Sequence, residues 1–144
     1  MMTDTAATTH TLVIEREMPH PQEKVWRALT EGPLIEQWLM NNDFQPVVGH
    51  QFNFRSTPVQ GWNGIIDSKV LLVEPTSRLS YSWGTMGMES LVAWTLTPTA
   101  TGTHVRMEQS GFRSDQDAAY KGATYGWQKF IAAMDRVVGE LNWP

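Results

Sequence analysis

The stretch that decides the fold runs from Ile14 to Trp38. It opens with Ile14-Glu15-Arg16, within an extended run over residues 11–18. It continues as Pro21-Gln22-Glu23-Lys24-Val25-Trp26-Arg27-Ala28-Leu29-Thr30 and closes as Gly32-Pro33-Leu34-Ile35-Glu36-Gln37-Trp38. Pro21 suits the first turn of a helix, where its missing N–H is not needed. Val25, Trp26 and Leu29 then share one face. Gly32-Pro33 ends that helix, and a second short one carries Leu34, Ile35 and Trp38. One strand followed by two small helices is the plan.

From about residue 50 the apolar period changes from helical to two. Phe52 and Phe54 oppose Gln51, Asn53 and Arg55. Residues 64–74 read as a longer strand whose apolar positions alternate less cleanly, so a bulge is expected there. Leu79, Tyr81 and Trp83 share a face in 78–84, and Val92, Trp94 and Leu96 do so in 90–97. In 103–111, Val105, Met107, Gln109 and Gly111 oppose His104, Arg106, Glu108 and Ser110. One apolar face and one wet face mark an antiparallel sheet covered on one side.

The cover is the C-terminal segment. Tyr120, Thr124, Trp127, Ile131, Met134 and Val138 recur at helical spacing. Ser114 with Asp117 three residues on resembles a capping box. From Asp117 to Leu141 such a helix is ~38 Å long at about 1.5 Å per residue. A domain of this size has a radius of gyration of roughly 14–15 Å. The helix therefore crosses the molecule, and the sheet must curl around it. Gly122 and Gly126 conflict with a plain helix. Either the first turns are irregular and the firm helix starts near Thr124, or a strand or ligand approaches that surface closely.

The chain's 144 residues suit a single domain. Residues 1–10, polar and Thr-rich, read as a disordered tail, and residues 11–144 as the domain. There is no cysteine, which excludes disulfides, thiol catalysis and Cys-based metal sites. A net charge of -4 without any basic run argues against nucleic acid as a partner. No apolar run approaches the ~18 residues of a membrane span, so no membrane insertion is expected. A cytoplasmic location is expected, with no signal peptide. Seven Trp and eight Met are the unusual feature. Such side chains can line an adaptable pocket or fill an ordinary core.

The following residues together carry a family resemblance: Pro21 to Thr30, Trp38, Gly64 with Val70 and Glu74-Pro75, and Leu79-Ser80-Tyr81-Ser82-Trp83. To these are added Trp94-Thr95-Leu96-Thr97-Pro98, Gly102-Thr103, Ser110-Gly111-Phe112 and Gly126-Trp127. In order and spacing they resemble the START-like superfamily, also called SRPBCC, with the helix-grip fold. Within it the chain is most similar to the AHSA-like family, named for homologues of the activator of a heat-shock chaperone ATPase. The resemblance implies an α+β fold in which a curved antiparallel sheet wraps a long C-terminal helix, with two short helices after the first strand. It also implies a cavity between sheet and helix. The superfamily includes lipid and hormone binders, polyketide cyclases and aromatases, and chaperone cofactors. A superfold of this breadth does not transfer a function by itself.

No residue pattern points to catalysis. There is no G-x-S-x-G elbow, P-loop or dinucleotide fingerprint, and His10, His20, His50 and His104 are scattered. No catalytic residue, cofactor or metal ligand is assigned. The residue that stands out is Gln109, on an apolar strand face between Met107 and Gly111. A buried amide needs partners, which are either neighbouring protein groups or a ligand. Tyr81 and Tyr120 offer the same combination of apolar ring and polar tip. Trp38, Phe54, Trp83, Trp94, Met107 and Trp127 are expected around the cavity, with Trp62 and Thr124 completing the candidate ligand-binding set. The loops Thr57 to Gly64 and Gly84 to Met88 either gate an entrance or simply connect strands, with Trp62 and Met86 offering apolar tips.

Three functions remain open. The first is a binding protein for a small apolar or aromatic ligand. The second is a cyclase- or hydrolase-type enzyme acting on a polyketide-like or aromatic substrate. The third is a chaperone cofactor, which the roughly ten residues before the first strand disfavour because they leave no room for an additional N-terminal domain. A monomer or weak homodimer is expected.

Overall fold

The apolar alternation and the helix signals appear in a computed structural model as seven strands and three helices, described here for residues 9–113 and 115–141. The order is β1 (Thr9–Met18), α1 (Gln22–Thr30), α2 (Gly32–Trp38), β2 (Asn41–Asn42), β3 (Gln51–Arg55), β4 (Ile65–Glu74), β5 (Arg78–Thr85), β6 (Met88–Pro98), β7 (Thr103–Arg113) and α3 (Asp117–Glu140). All strands form one antiparallel sheet in the order β1-β7-β6-β5-β4-β3-β2. Six of them make a meander, and β1 closes against β7. This is the α+β helix-grip fold.

Several expectations meet their detail here. Strand β1 begins at Thr9, so Thr9 and His10 belong to the sheet rather than to a tail. His10 pairs with Phe112, and a register shift follows at Thr11. Pro21 stands at the N-cap of α1, just before the helix proper. Glu31 serves both as the C-cap of α1 and the N-cap of α2. The irregularity expected in residues 64–74 is a register shift between Val70 and Leu72. The two-residue strand β2 was not expected, because two residues cannot show a period.

The inner face is built by the predicted residues. Phe54, Leu79, Val92 and Met107 are completely buried, and Val105 and Trp94 are 1% exposed. Helix α3 supplies Trp127, Ile131, Met134, Val137 and Val138, and it packs against α1, α2, β1 and β7. Burying each such side chain contributes about 1.5–3 kcal/mol. At 24 residues the helix is ~36 Å long, so only part of it can be covered by the core.

The N-terminal cap of α3 is Gln116, which makes no side-chain cap hydrogen bond. Ser114, the cap expected from the sequence, lies outside the described residues. The helix is continuous through Gly122 and Gly126, so the irregular first turns expected from these glycines are absent. Among the described residues no helix is long and apolar enough to cross a membrane.

Candidate functional site

The tryptophans divide the interior into a packed half and an open half. Trp38 donates its indole N–H to the Ala28 carbonyl at 2.8 Å and packs edge-on against Trp94, with ring centres 5.7 Å apart. Trp94 donates to the Tyr81 hydroxyl at 3.0 Å. Tyr81 in turn packs against Phe44, Phe52 and Phe54. Rings therefore fill this half of the space between sheet and helices, and a ligand has no room there.

Trp127 stands at the border. Its ring lies 5.7 Å from Trp94 on the packed side, and 5.1 Å from Trp83 and 5.9 Å from Phe130 on the other. Beyond it lies a cavity of about 580 Å³. The walls are Trp83, Trp127 and Phe130, the thioethers Met86 and Met88, and a side of α3 made of Ala118, Ala119, Gly122, Ala123 and Gly126. Thr85, Gln109, Asp115 and Gln116 supply the polar lining. The mouth lies between the β5–β6 hairpin tip and the start of α3, since Met86 is 69% exposed and Asp115 and Gln116 precede the helix. These are the dimensions and the mostly apolar lining of a small-molecule site.

Of the eleven candidate ligand-binding residues, the structure brings Trp83, Gln109 and Trp127 to this cavity. Trp38, Phe54, Tyr81, Trp94 and Met107 do not line it; they lie in the filled core, where Trp38 packs on Trp94 and Phe54 on Tyr81. Tyr120 turns the other way, with its ring against Phe112 and His10. Thr124 spends its hydroxyl on the Tyr120 carbonyl at 2.9 Å. Trp62 stands behind the hairpin. Its indole N–H reaches Thr85 Oγ1 at 2.8 Å, and that hydroxyl donates to the Ile65 carbonyl at 2.9 Å. Trp62 thus ties the 57–64 loop to the base of the hairpin that forms the mouth.

Gln109 has a partner at each end of its buried amide. It is 1% exposed. Trp127 Nε1 donates to its Oε1 at 2.8 Å, and its Nε2 donates to Ser90 Oγ at 2.9 Å. Ser90 passes the chain on to the Trp83 carbonyl at 3.0 Å. Two of the aromatic walls are therefore held by one polar chain through Gln109, and hydrogen bonds linked in this way strengthen one another.

The residues that sequence reasoning passed over are Ala118, Ala119, Ala123, Phe130, Asp115 and Gln116, whereas Thr85 and Met88 belong to the loop named as a possible gate. The available signal was the pair Gly122 and Gly126. Each costs about 1 kcal/mol relative to Ala inside a helix, and no strand backbone presses on them to require it. A Cβ at Gly122 would meet nothing within 4 Å, and one at Gly126 would meet only Phe130 Cε2 at 3.8 Å.

The hairpin tip is strained. Met86 and Gly87 have φ of 52° and 75°, a turn with both central residues left-handed. Glycine adopts this conformation freely, whereas methionine does not.

Groups for proton transfer are scarce around the cavity. Among the described residues Asp115 is the one ionisable side chain in its lining, and Arg113 Nε lies 3.2 Å from it. Burial pushes the Tyr81 phenol well above its ordinary value, against a smaller opposing effect of the Trp94 hydrogen bond. It stays protonated and away from the cavity. Among the described residues no three His, Asp or Glu side chains gather as metal ligands do.

Comparison with known proteins places this geometry. Residues 19–139 match the family model described as activator of Hsp90 ATPase homolog 1-like protein. The crystal structure of protein MLL2253 from Mesorhizobium loti superposes with a TM-score of 0.87 at 48% identity, covering 93% of this chain and all of that one. CalU16 from Micromonospora echinospora superposes with a TM-score of 0.75 at 21% identity, over 92% of this chain and 78% of its own. DynU16, from the dynemicin biosynthetic locus, has a TM-score of 0.75 at 24% identity, over 92% of this chain and 48% of its own. The last two likenesses show the fold alone. No curated protein matches the chain. The match over residues 19–139 and the 48% identity to MLL2253 settle membership: the chain belongs to the family of activator of Hsp90 ATPase homolog 1-like proteins.

Proposed function

We propose that this protein is a cytoplasmic, non-enzymatic binding module that holds a small apolar or aromatic molecule between the β5–β6 hairpin and α3. The observation that carries this reading is the cavity of about 580 Å³ bounded by three aromatic rings and two thioethers. Burying a ligand of that character removes apolar surface from water at about 25 cal/mol per Å². Intrinsic fluorescence provides the test, because Trp83 and Trp127 form the wall. Titration with the uncharged probe 1-aminoanthracene should quench saturably, and Trp127→Phe should remove much of the response. Absence of a saturable response to this probe and to representative lipids, flavonoids and polyketides would overturn the proposal.

The cyclase or hydrolase reading has less support. Its natural anchor groups, Gln109 and Tyr81, are already committed to Trp127, Ser90 and Trp94. The chaperone reading rests on the family description alone.

A further inference from the structure

We infer that Gly122 and Gly126 are specificity-determining residues that keep the cavity open for an uncharged aromatic ring system bearing an acceptor oxygen. The inference rests on the binding function proposed above and specifies its ligand.

Shape comes first. Glycine inside a helix usually marks close approach of another backbone, yet none occurs here. The space above Gly122 is empty out to 4 Å, and above Gly126 the one neighbour is the Phe130 ring. The missing side chains therefore contribute volume to the cavity. One wall is the bare surface of α3 beside Trp127 on the same helix, and Trp83 and Met88 line the cavity from the sheet. An aromatic molecule placed there gains by packing on the rings of Trp83, Trp127 and Phe130, which are tilted to one another and so offer it both faces and edges.

Charge comes second. Among the described residues no Lys, Arg or His lines the cavity, whereas Asp115 does, and the cation beside it, Arg113, is paired with that carboxylate at 3.2 Å. A carboxylate, sulfate or phosphate would lose its hydration without a counter-charge, at the cost that any buried unpaired ion incurs.

Hydrogen bonding comes third. The Trp127 indole is a donor only, so it fixes the Gln109 amide with Oε1 toward Trp127. Nε2 carries two N–H groups, and Ser90 Oγ takes one of them. Among the described residues the second has no protein acceptor. A carbonyl or hydroxyl oxygen on the ligand would satisfy it.

Four probes and three variants test this by tryptophan quenching: 2-hydroxymethylanthraquinone, anthracene, anthraquinone-2-sulfonate and 1-dodecanol, against the wild type, Gly122→Ala and Gly122→Leu. The uncharged quinone should bind saturably, with the sulfonate at least tenfold weaker and anthracene several-fold weaker. Gly122→Ala should raise Tm by about 3 °C as helix propensity improves, yet weaken quinone binding several-fold. Gly122→Leu should keep its fold and weaken binding at least tenfold. If Gly122→Leu does not fold, Ala119→Leu on the same wall takes its place, with the same expected loss. Equal affinity for the sulfonate, preference for dodecanol, or undiminished binding by a folded Leu variant would overturn this inference and leave the binding function standing. Failure of the wild type to bind any of the four probes would overturn both.

Discussion

Trp127 and Gln109 hold each other at the border between the filled and the open halves of the molecule. The indole N–H lies 2.8 Å from the amide oxygen, and both side chains are at least 97% buried. The amide then reaches Ser90, and Ser90 the Trp83 carbonyl. One polar side chain on an apolar strand face thereby positions two of the three aromatic walls.

Replacing Gln109 by Leu should expose the role of that chain. The substitution keeps the apolar bulk but leaves the Trp127 N–H without its acceptor. An unsatisfied buried donor costs about 1–3 kcal/mol. Denaturant unfolding should show a loss of that size, and probe affinity should fall as Trp127 loses its fixed orientation. Wild-type stability with unchanged affinity would show that Gln109 neither holds the wall nor contacts the ligand.

Tyr81 makes an alkaline prediction. The phenol is held above its ordinary value of 10.0, mainly by burial. The unfolded chain releases that proton near pH 10, while the folded chain retains it. The stabilising contribution is therefore full below pH 10 and declines as pH rises beyond it, by about 1.4 kcal/mol per pH unit until the folded group titrates. Tyr81→Phe should be less stable than wild type at neutral pH by about 1–2 kcal/mol, because the Trp94 indole loses its acceptor. The gap should narrow between pH 10 and 11. A gap that stays constant across that range would show that Tyr81 titrates as an exposed phenol does.

The hairpin tip carries removable strain. Met86 sits at φ 52° before Gly87 in a two-residue turn between Thr85 and Met88. Asparagine tolerates this conformation better than methionine. Met86→Asn should stabilise the protein by up to about 1 kcal/mol, whereas Met86→Val should destabilise it. Thermal unfolding of the two variants gives the comparison, and equal Tm values would contradict the turn geometry.

The fold could be read from the sequence wherever one face is buried and the other wet. Leu79, Tyr81 and Trp83 alternate with Arg78, Ser80 and Ser82, and all three are buried. The position of the cavity could not be read in this way. Trp83 and Trp94 show the same alternation on neighbouring strands, yet one faces open space and the other Trp38 and Tyr81. Periodicity reports which face points inward. Whether that interior is filled depends on side chains that arrive from α1, α2 and α3. Gly122 and Gly126 were visible as an inconsistency, but the sequence alone could not separate an irregular helix from an intact one bordering empty space. Three of the candidate residues converge on the cavity; the α3 part of the rest is mostly small residues that carry no chemical signature, and Met86, Met88 and Phe130 are apolar residues of a kind that fills any core.

The central claim is that a small apolar molecule occupies the space between the β5–β6 hairpin and α3. Two-dimensional ¹H–¹⁵N NMR during titration with 2-hydroxymethylanthraquinone tests it most directly. Saturable shifts should appear at the Trp83 and Trp127 indole N–H groups and at the backbone amides of Met88, Gly122 and Gly126. The Trp38 indole, bonded to Ala28 in the filled half, should stay in place, as should the outer-face amides of Arg106 and Glu108. Shifts confined to that outer face, or no shifts at the probe's solubility limit, would contradict the account.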